Sequence, residues 1–436
     1  MKYKNHISAL ALMLTATLAC VNNSIFAQSG TNSPYSMYGM GVLADQSTGF
    51  SRAMSGTAIG FNDGNQVNPI NPASYANVDS LTFIFDVGMS LLNTNLKEGD
   101  TKRNAKSANF EYAVAGFRVL KNLGCSFGVL PYTNVGYNFY RTGIQTGAIE
   151  DTYSTTYKGS GGLHEAYLGF AWMPFKYFSV GFNAGYIWGD YSKSITTIHS
   201  LAGASAMYRY YNGSVRSYKI DLGLQAYVPI NKDNKLTIGA IYTLGHDMNN
   251  TANLLDIKED TTSYSVDDAF SVPTTIGAGL TWNYKDKLKI GADFTLHKFA
   301  DVDFPALADN GKAYTYKKMP NQLLDRKKFS IGAEYVPDET SRKFFDRVHY
   351  RVGAFYATPY IKVSDRNGKL VDGPKETGLS FGVGVPIINT YNNRSVVNVS
   401  GQWVRSSASG LITENYWRIN VGITFNERWF AKWKFD

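Results

Sequence analysis

The feature of this sequence that most constrains its fold is strict alternation of apolar and polar residues. In residues 287–296 the apolar residues occupy every second position, with Lys, Gly, Asp and Thr between them. Because successive side chains of a β-strand point to opposite faces, this pattern predicts strands with one apolar face each. The same alternation occurs in nine further segments: 81–91, 178–188, 218–228, 236–245, 274–284, 328–335, 348–356, 379–387 and 417–425.

Both soluble β-sandwiches and membrane barrels have alternating strands. The strands here are about ten residues long, whereas strands of soluble proteins are commonly about five or six. Their polar face carries mainly Gly, Ser, Thr and Asn with single charges, as expected for a crowded barrel interior. The mean hydropathy of −0.23 fits both classes, because only every second residue of a membrane strand meets lipid.

The links between the predicted strands favour the barrel, because short and long links alternate. The short links are 120–124, 174–177, 230–235, 285–287 and 388–394, with a moderate one at 337–346. The long polar links are 93–107, 141–161, 191–213, 249–270, 299–326 and 362–376, with a shorter one at 407–413. Short periplasmic turns and long outer loops give this order. We therefore predict an all-β transmembrane antiparallel β-barrel of about 14 strands over residues 81–427, with both ends periplasmic.

The first residues have the pattern of an export signal. Lys2 and Lys4 precede the apolar stretch 7–19, and Ala27 ends a plausible cleavage site, so residues 1–27 are predicted to be a signal peptide. Cys20 allows a lipoprotein as an alternative, but the residues before it match a lipobox poorly. Residues 28–436 contain no run of 18 apolar residues, which excludes membrane-spanning helices there. The predicted location is the cell outer membrane.

The charge and the cysteine content limit which binding partners and which disulfide bonds are expected. The formal net charge of +8 fits either contact with anionic lipid head groups or scattered solvated lysines. No block of like charge indicates nucleic acid as a partner. Cys125 is the single cysteine after residue 27, so the mature chain has no internal disulfide.

The two ends of the mature chain lack long alternation. Residues 28–80 are rich in glycine but also contain scattered apolar residues, which favour packing. We predict that they form an N-terminal plug in the barrel lumen; a flexible periplasmic extension is the alternative. Residues 428–436 are predicted to be a C-terminal periplasmic tail, or else one further strand.

Several motifs, in this order along the chain, resemble the FadL/TodX outer-membrane transport family in the form common among Bacteroidota. They are Ser33–Gly39 (SPYSMYG), Phe50–Gly56 (FSRAMSG), Asn71–Tyr75 (NPASY), Leu130–Tyr137 (LPYTNVGY), Gly159–Leu163 (GSGGL), Gly382–Pro386 (GVGVP) and Asn426–Phe430 (NERWF). The resemblance implies a fourteen-stranded barrel with a plug, which passes hydrophobic molecules such as long-chain fatty acids or aromatic hydrocarbons. Some relatives are instead subunits of protein secretion or assembly complexes.

The family's third strand is kinked and opens a lateral window into the bilayer, and Pro131 lies within the predicted third strand, 125–139. Proline lacks the N–H that a strand ladder needs, so it predicts a local break in pairing. The alternative is a bulge that merely adjusts the twist of the strand.

No motif indicates an enzyme, a cofactor or a metal site. The six histidines are not at metal-ligand spacing, and neither a CxxC nor a GxSxG motif is present. The main hypothesis is therefore passive uptake of a hydrophobic small molecule through a plugged lumen, with a lateral exit into outer-membrane lipid. The alternative is a non-transporting barrel subunit that binds other outer-membrane proteins. The predicted plug and channel residues are Asn71, Pro72, Ala73, Pro131 and Asn134.

Overall fold

The computed structural model describes residues 30–145, 151–201, 203–309, 314–365, 369–388 and 394–427. The predicted signal peptide, 1–27, and the predicted tail, 428–436, lie outside the described residues. Within these ranges, no helix combines the length and the apolar character needed to cross a membrane.

Fourteen antiparallel strands form a closed barrel, as the alternation predicts. In chain order, they are β1 Phe83–Glu98, β2 Thr101–Leu120, β3 Leu123–Gln145, β4 Asp151–Phe175, β5 Phe178–His199, β6 Met207–Pro229, β7 Asn234–Thr243, β8 Thr274–Tyr284, β9 Leu288–Lys298, β10 Arg326–Tyr335, β11 His349–Ala357, β12 Lys375–Ile388, β13 Arg394–Ser407 and β14 Thr413–Glu427. Each strand pairs with the next, and β14 pairs with β1 from Phe83↔Glu427 to Lys97↔Thr413, which closes the sheet.

The two faces of the wall differ as the sequence predicts. In β1, Asp86 and Ser90 are buried on the inner face, whereas Met89 and Leu91 are exposed on the outer face. An apolar outer face lets the wall contact acyl chains, and closure pairs the strand edges that a bilayer would leave without hydrogen bonds. The fold is that of an outer-membrane barrel.

Three predicted long links are wrong, because most of their residues extend the strands. β1 and β2 meet at a turn of residues 99–100, so 93–107 is mainly strand. Likewise β4 starts at Asp151 and β5 continues to His199, within the predicted links 141–161 and 191–213. Polar residues predominate on both faces of these strand ends, and the apolar residues among them, such as the exposed Ile144 and Ile198, are isolated. A strand that stands in water on both sides has no reason to alternate, so the sequence pattern is lost there.

The connections that are long in the structure are 244–273, 299–325 and 358–374. Each carries a short hairpin: Asn250–Ile257 with Thr261–Asp267, Phe304–Asp309 with Tyr314–Met319, and Lys362–Ser364 with Leu370–Asp372. The strand Asn250–Ile257 also pairs with the first part of β6, so it extends the wall on that side.

The wall has an irregular seam between β2 and β3. Their pairing runs from Leu120↔Leu123 to Ala113↔Val129, and among the described strands residues 101–112 of β2 pair with β1 alone. On the other side of β3, the register against β4 shifts between Pro131 and Thr133. Pairing is therefore irregular at Pro131. The ladder with β4 continues beyond the register shift, as the bulge alternative implies, whereas the ladder with β2 ends at Val129.

Residues 30–82, here called the N-terminal segment, pack against inward-facing side chains of the wall. The segment contains three short helical turns, each preceded by a polar residue: Pro34–Met37 after Ser33, Gly49–Arg52 after Thr48 and Pro72–Asn77 after Asn71. Ser33 and Asn71 accept hydrogen bonds from the first backbone N–H groups of their turns, which is the usual role of such residues.

Candidate functional site

The predicted plug residues Asn71, Pro72 and Ala73 form the start of the third turn of the N-terminal segment. The Asn71 Oδ1 atom accepts a hydrogen bond from the Ala73 N–H at 3.1 Å. Its Nδ2 atom donates to the carbonyl oxygens of Ile59, at 2.7 Å, and of Leu224 in β6, at 3.1 Å. Asn71 therefore joins two parts of the segment to the wall, and it is fully buried.

Inward-facing glycines let the segment approach the wall closely. A Cβ atom on Gly353 of β11 would overlap the carbonyl carbon of Met54, and one on Gly239 of β7 would overlap the carbonyl oxygen of Ile59. Only glycine gives the backbone this room. At these two positions the backbone of the segment therefore lies directly against the backbone of the wall.

A buried ion pair connects the segment to β2. The Arg52 Nη2 atom lies 3.0 Å from Glu111 Oε2, and the side chain also donates to the backbone carbonyls of Ser47, at 3.0 Å, and Asp45, at 2.8 Å. The Arg52 guanidinium carbon lies 5.7 Å from the centre of the Tyr112 ring. Arg52 has its charge and most of its donors satisfied inside the barrel, which a buried cation requires.

A second chain of charges runs from the segment across β9, β10 and β11. Lys289 Nζ lies 2.8 Å from Asp63 Oδ2 and 3.2 Å from Glu334 Oε1. Glu334 Oε2 accepts a hydrogen bond from Arg351 Nε at 2.6 Å, and Arg351 Nη1 donates to Asn398 Oδ1 at 2.6 Å. These contacts attach the segment at Asp63 to three neighbouring strands.

Asp293 of β9 holds the backbone of the segment. Its Oδ2 atom accepts hydrogen bonds from the N–H groups of Ala58, at 2.6 Å, and Ile59, at 2.8 Å. Charge-assisted bonds of this kind are about twice as strong as neutral ones. Residues far apart along the segment are therefore each attached to a different part of the wall.

Two carboxyl groups of the segment are ionised despite burial. Burial opposes the charge of Asp45, but the cations of Lys328 and Arg52 outweigh it and hold the pKa of Asp45 below its usual range. For Asp63, burial again raises the pKa, but the Lys289 ammonium outweighs burial and lowers the net pKa. Both groups are charged at neutral pH, so the attraction to the wall cations is in place there.

Two cavities between the N-terminal segment and the wall are small and are lined by both charged and apolar side chains. One cavity has a volume of about 220 Å³ and a second has a volume of about 80 Å³. Sites for drug-sized ligands usually have about 300–1,000 Å³ and are mainly apolar. The charged residues that line the larger cavity include Asp45, Lys219, Asp221, Arg326, Lys328 and Arg418.

The seam at Pro131 is bridged from the inside by the first residues of the N-terminal segment. Val42 and Leu43 pair as a short strand with Asn134 and Thr133 of β3. Ser36 Oγ accepts a hydrogen bond from the Gly136 N–H at 3.0 Å.

Two earlier residues of the segment, Gly30 and Asn32, reach the other edge of the seam. On β2, Asn109 Nδ2 donates to the Gly30 carbonyl at 2.7 Å, and Asn32 Nδ2 donates to the Lys106 carbonyl at 3.3 Å. The segment thus takes up part of the hydrogen bonding that β2 and β3 do not give each other.

The chain also matches a family of known proteins. The model of the BamG family matches residues 10–436. The chain belongs to the BamG family. No curated protein sequence matches this chain.

Solved structures share the fold of this BamG-family chain at low sequence identity. The Ralstonia pickettii toluene transporter TbuX has 18% identity over 88% of this chain and 98% of its own, with a TM-score of 0.57. A Pseudomonas aeruginosa FadL homologue has 12% identity over 87% and 98%, with a TM-score of 0.58. The Pseudomonas putida toluene transporter TodX has 14% identity over 89% and 100%, with a TM-score of 0.55. Two of these three proteins are toluene transporters, and the resemblance to the FadL/TodX family holds for the fold.

The predicted site residues of the BamG-family barrel fall into two separate groups. Asn71, Pro72 and Ala73 lie against β5 and β6, where Pro72 packs beside Gly181 and Gly223. Pro131 and Asn134 lie at the seam of β3, where Asn134 pairs with Val42. Both groups contact the N-terminal segment, and whether either handles a substrate stays a prediction.

Sequence reasoning missed the charged residues that hold the segment. They are Arg52, Asp63, Glu111, Lys289, Asp293, Glu334 and Arg351. A signal for some of them was present, because five lie in strands at positions that alternate with lipid-facing apolar residues. Within the described ranges, no cluster of three His, Cys, Asp or Glu side chains is arranged to hold a metal ion.

Proposed function

We propose that this protein is a non-transporting barrel subunit of an outer-membrane protein secretion or assembly complex. The observation that carries the proposal is the set of ion pairs between the N-terminal segment and the wall. Arg52–Glu111 is buried and Asp63–Lys289 is partly buried. Membership of the BamG family supports the same function. In this proposal the segment is a permanent plug and the wall and outer loops carry the contacts with partners.

The physical case rests on what a hydrophobic solute needs. An apolar molecule beside Asp45, Lys328 or Arg418 would displace water from ionised groups without replacing its hydrogen bonds, which costs several kcal/mol. The cavity of about 220 Å³ is also below the usual size of a ligand site. A lumen with charged lining residues and so small a cavity is poorly suited to the passage of fatty acids, and it is compatible with a structural subunit.

A second candidate function is the passive uptake of hydrophobic small molecules. Two observations favour it: the fold is that of solved toluene transporters, and β3 separates from β2 at Pro131. In this proposal, Asn71, Pro72 and Ala73 anchor the plug, and Pro131 and Asn134 line a lateral exit into outer-membrane lipid. Uptake requires that residues 30–44 leave the seam.

The first experiment determines the native size and composition of the protein. A chromosomally tagged copy is extracted from its own outer membrane with a mild detergent and analysed by native electrophoresis and quantitative mass spectrometry. The complex function predicts stoichiometric protein partners and a mass well above the 48.3 kDa of the chain. A monomer that carries bound fatty acid would contradict it and favour uptake.

The second experiment measures entry of radiolabelled oleate and toluene into cells depleted of the protein. The complex function predicts unchanged uptake per unit of outer membrane, because no solute passes through the lumen. The uptake function predicts a loss that the wild type restores and Pro131→Ala does not. Pro229→Ala, at the end of β6, is the matched control because it removes a proline outside the seam.

A further inference from the structure

The outer face of the barrel carries an apolar groove on β7 to β11. The groove has a volume of about 780 Å³ and opens away from the lumen. Small side chains form its floor: Ala278, Ala292 and Ala354. Bulky side chains form its rims: Ile238, Leu280, Phe294, Phe329, Ile331 and Tyr356.

The groove faces the bilayer. Its residues alternate along β9 with inward-facing ones, since Asp293 lies between Ala292 and Phe294 and binds the N-terminal segment inside the barrel. Floor and rim residues pair directly across neighbouring strands, as Leu280↔Ala292 and Ile331↔Ala354. The groove is therefore a depression in the lipid-facing surface of the wall. It is separate from the lumen and from the seam at Pro131.

The link 336–348 lies at one end of these strands and exposes two aromatic rings. With both ends of the barrel on the periplasmic side, as the sequence predicts, this link is periplasmic too. Phe344 and Phe345 begin a four-residue helix, with ring centroids 5.3 Å apart, and Phe345 is 72% exposed. The Tyr350 hydroxyl donates to the Phe345 carbonyl at 3.2 Å, and Tyr350 pairs with Tyr335 on the outer face. Aromatic residues at this height are typical of the boundary between lipid and water.

Charged residues surround the two rings. Arg342 and Lys343 directly precede Phe344 and are exposed. The link also contains Asp338, Glu339 and Asp346. The Asp338 Oδ1 atom accepts from the Thr340 N–H at 2.9 Å, and the Asp346 Oδ2 atom accepts from the Ser341 hydroxyl at 2.7 Å, so these two carboxylates are bound within the turn. The exposed cations next to the rings are suited to bind phosphate.

The height of the groove matches one leaflet. From Tyr350 to Ala354 on β11 is four residues, which is about 13 Å at about 3.3 Å per residue. Half of a hydrocarbon core is about 15 Å thick. The groove therefore lies at acyl-chain depth in the same leaflet whose head groups meet the link 336–348.

We propose that this face is a binding site for one anionic phospholipid of the periplasmic leaflet. Its phosphate binds Arg342 and Lys343, its glycerol region lies beside Phe344 and Phe345, and one acyl chain fills the groove over Ala292. The apolar floor alone would also fit a partner's apolar surface. The cationic and aromatic turn directly below it favours a lipid. The proposal does not depend on which function the lumen has.

The test uses the full-length protein in detergent, stripped of lipid and titrated with phosphatidylglycerol, with bound lipid counted by native mass spectrometry. We expect one retained phosphatidylglycerol and a weakening of about tenfold or more in Ala292→Phe, which fills the groove. Ala184→Phe is the matched control, since Ala184 is an exposed residue on the outer face of β5. It should bind as the wild type does.

A second variant separates head-group binding from groove filling. Arg342→Gln with Lys343→Gln should weaken phosphatidylglycerol by a similar factor and remove the preference over phosphatidylethanolamine. Equal binding of phosphatidylglycerol by Ala292→Phe, Ala184→Phe and the wild type would overturn the proposal, because lipid binding would then not involve the groove. A protein partner cross-linked to residue 292 in the native membrane, in place of lipid, would overturn it as well.

Discussion

Arg52 of the N-terminal segment and Glu111 of β2 form an ion pair of 3.0 Å with side chains only 3% and 7% exposed. Their positions are remote from each other in the sequence, and β2 carries Glu111 on its inner face beside Tyr112, whose ring Arg52 also contacts. The pair joins the segment to the strand that borders the seam. A substitution in this ion pair therefore tests how much the attachment of the segment contributes to the stability of the barrel.

Arg52→Ala should destabilise the folded barrel by about 3–5 kcal/mol, because it leaves Glu111 buried without its counter-charge. The measurement is urea unfolding in lipid vesicles, followed by tryptophan fluorescence. Arg141→Ala is the control, since Arg141 pairs with Glu98 at 3.7 Å on the surface, where such pairs contribute about 0–1 kcal/mol. Adding Glu111→Gln to Arg52→Ala should recover part of the loss. Equal stability of Arg52→Ala and Arg141→Ala would contradict the buried pair.

Gly353→Val should displace the segment around Met54, because a Cβ at this position would overlap the Met54 carbonyl carbon. We expect a lower unfolding temperature and faster protease cleavage within residues 30–82 of the folded protein. Ala184→Val, on the lipid face of β5, adds bulk where there is room and should change neither. A Gly353→Val protein with wild-type protease resistance would mean that the segment does not need this close contact.

Deletion of residues 28–75 should convert a closed barrel into an ion-conducting one. The expected reason is that residues 30–75 bind inward-facing groups of the wall and bridge the seam between β2 and β3. Single-channel conductance in planar bilayers measures the change against the full-length protein. Since the deletion also exposes the inward-facing charges, a folded barrel is checked by its heat-dependent migration in gels. A folded deletion protein with unchanged conductance would show that residues 28–75 are not a plug.

The contact between Asp63 and Lys289 should weaken in acid. The folded-state pKa of Asp63 is lowered, so its contribution to stability is complete above its ordinary pKa of about 4 and is lost as the pH falls through the lower folded value. Asp63→Asn removes this titration. The difference in unfolding free energy between wild type and Asp63→Asn should therefore be constant from pH 8 to pH 5 and shrink below about pH 4. A constant difference down to pH 2 would contradict the assignment.

Much of the wall was predictable from local patterns. The segment 287–296 corresponds to β9, Leu288–Lys298, and its apolar residues face outward as the alternation implies. The polar ends of β1, β2, β4 and β5 were not predictable, because strands with water on both sides have no apolar face to repeat. The irregular pairing at Pro131 was predictable, because a residue without an N–H cannot donate to the strand ladder.

The sequence did not show which of the inward-facing charges would pair with one another or with the N-terminal segment. Lys289, Asp293, Glu334 and Arg351 each occupy an ordinary polar position of an alternating strand, and such positions carry solvated charges equally well. Which of them meet depends on the register between strands and on where residues 45–63 of the segment pass. A register shift of one residue would turn every one of these side chains to the lipid face.

The sequence by itself therefore determined a closed antiparallel barrel with an apolar exterior, because a period of two over many long strands leaves every strand with one face for lipid and one for the interior. Only the tertiary structure decided how that interior is used. The pairing of Arg52 with Glu111 and of Asp63 with Lys289 arises when the closed sheet brings distant residues around the N-terminal segment, and no local pattern encodes those distances.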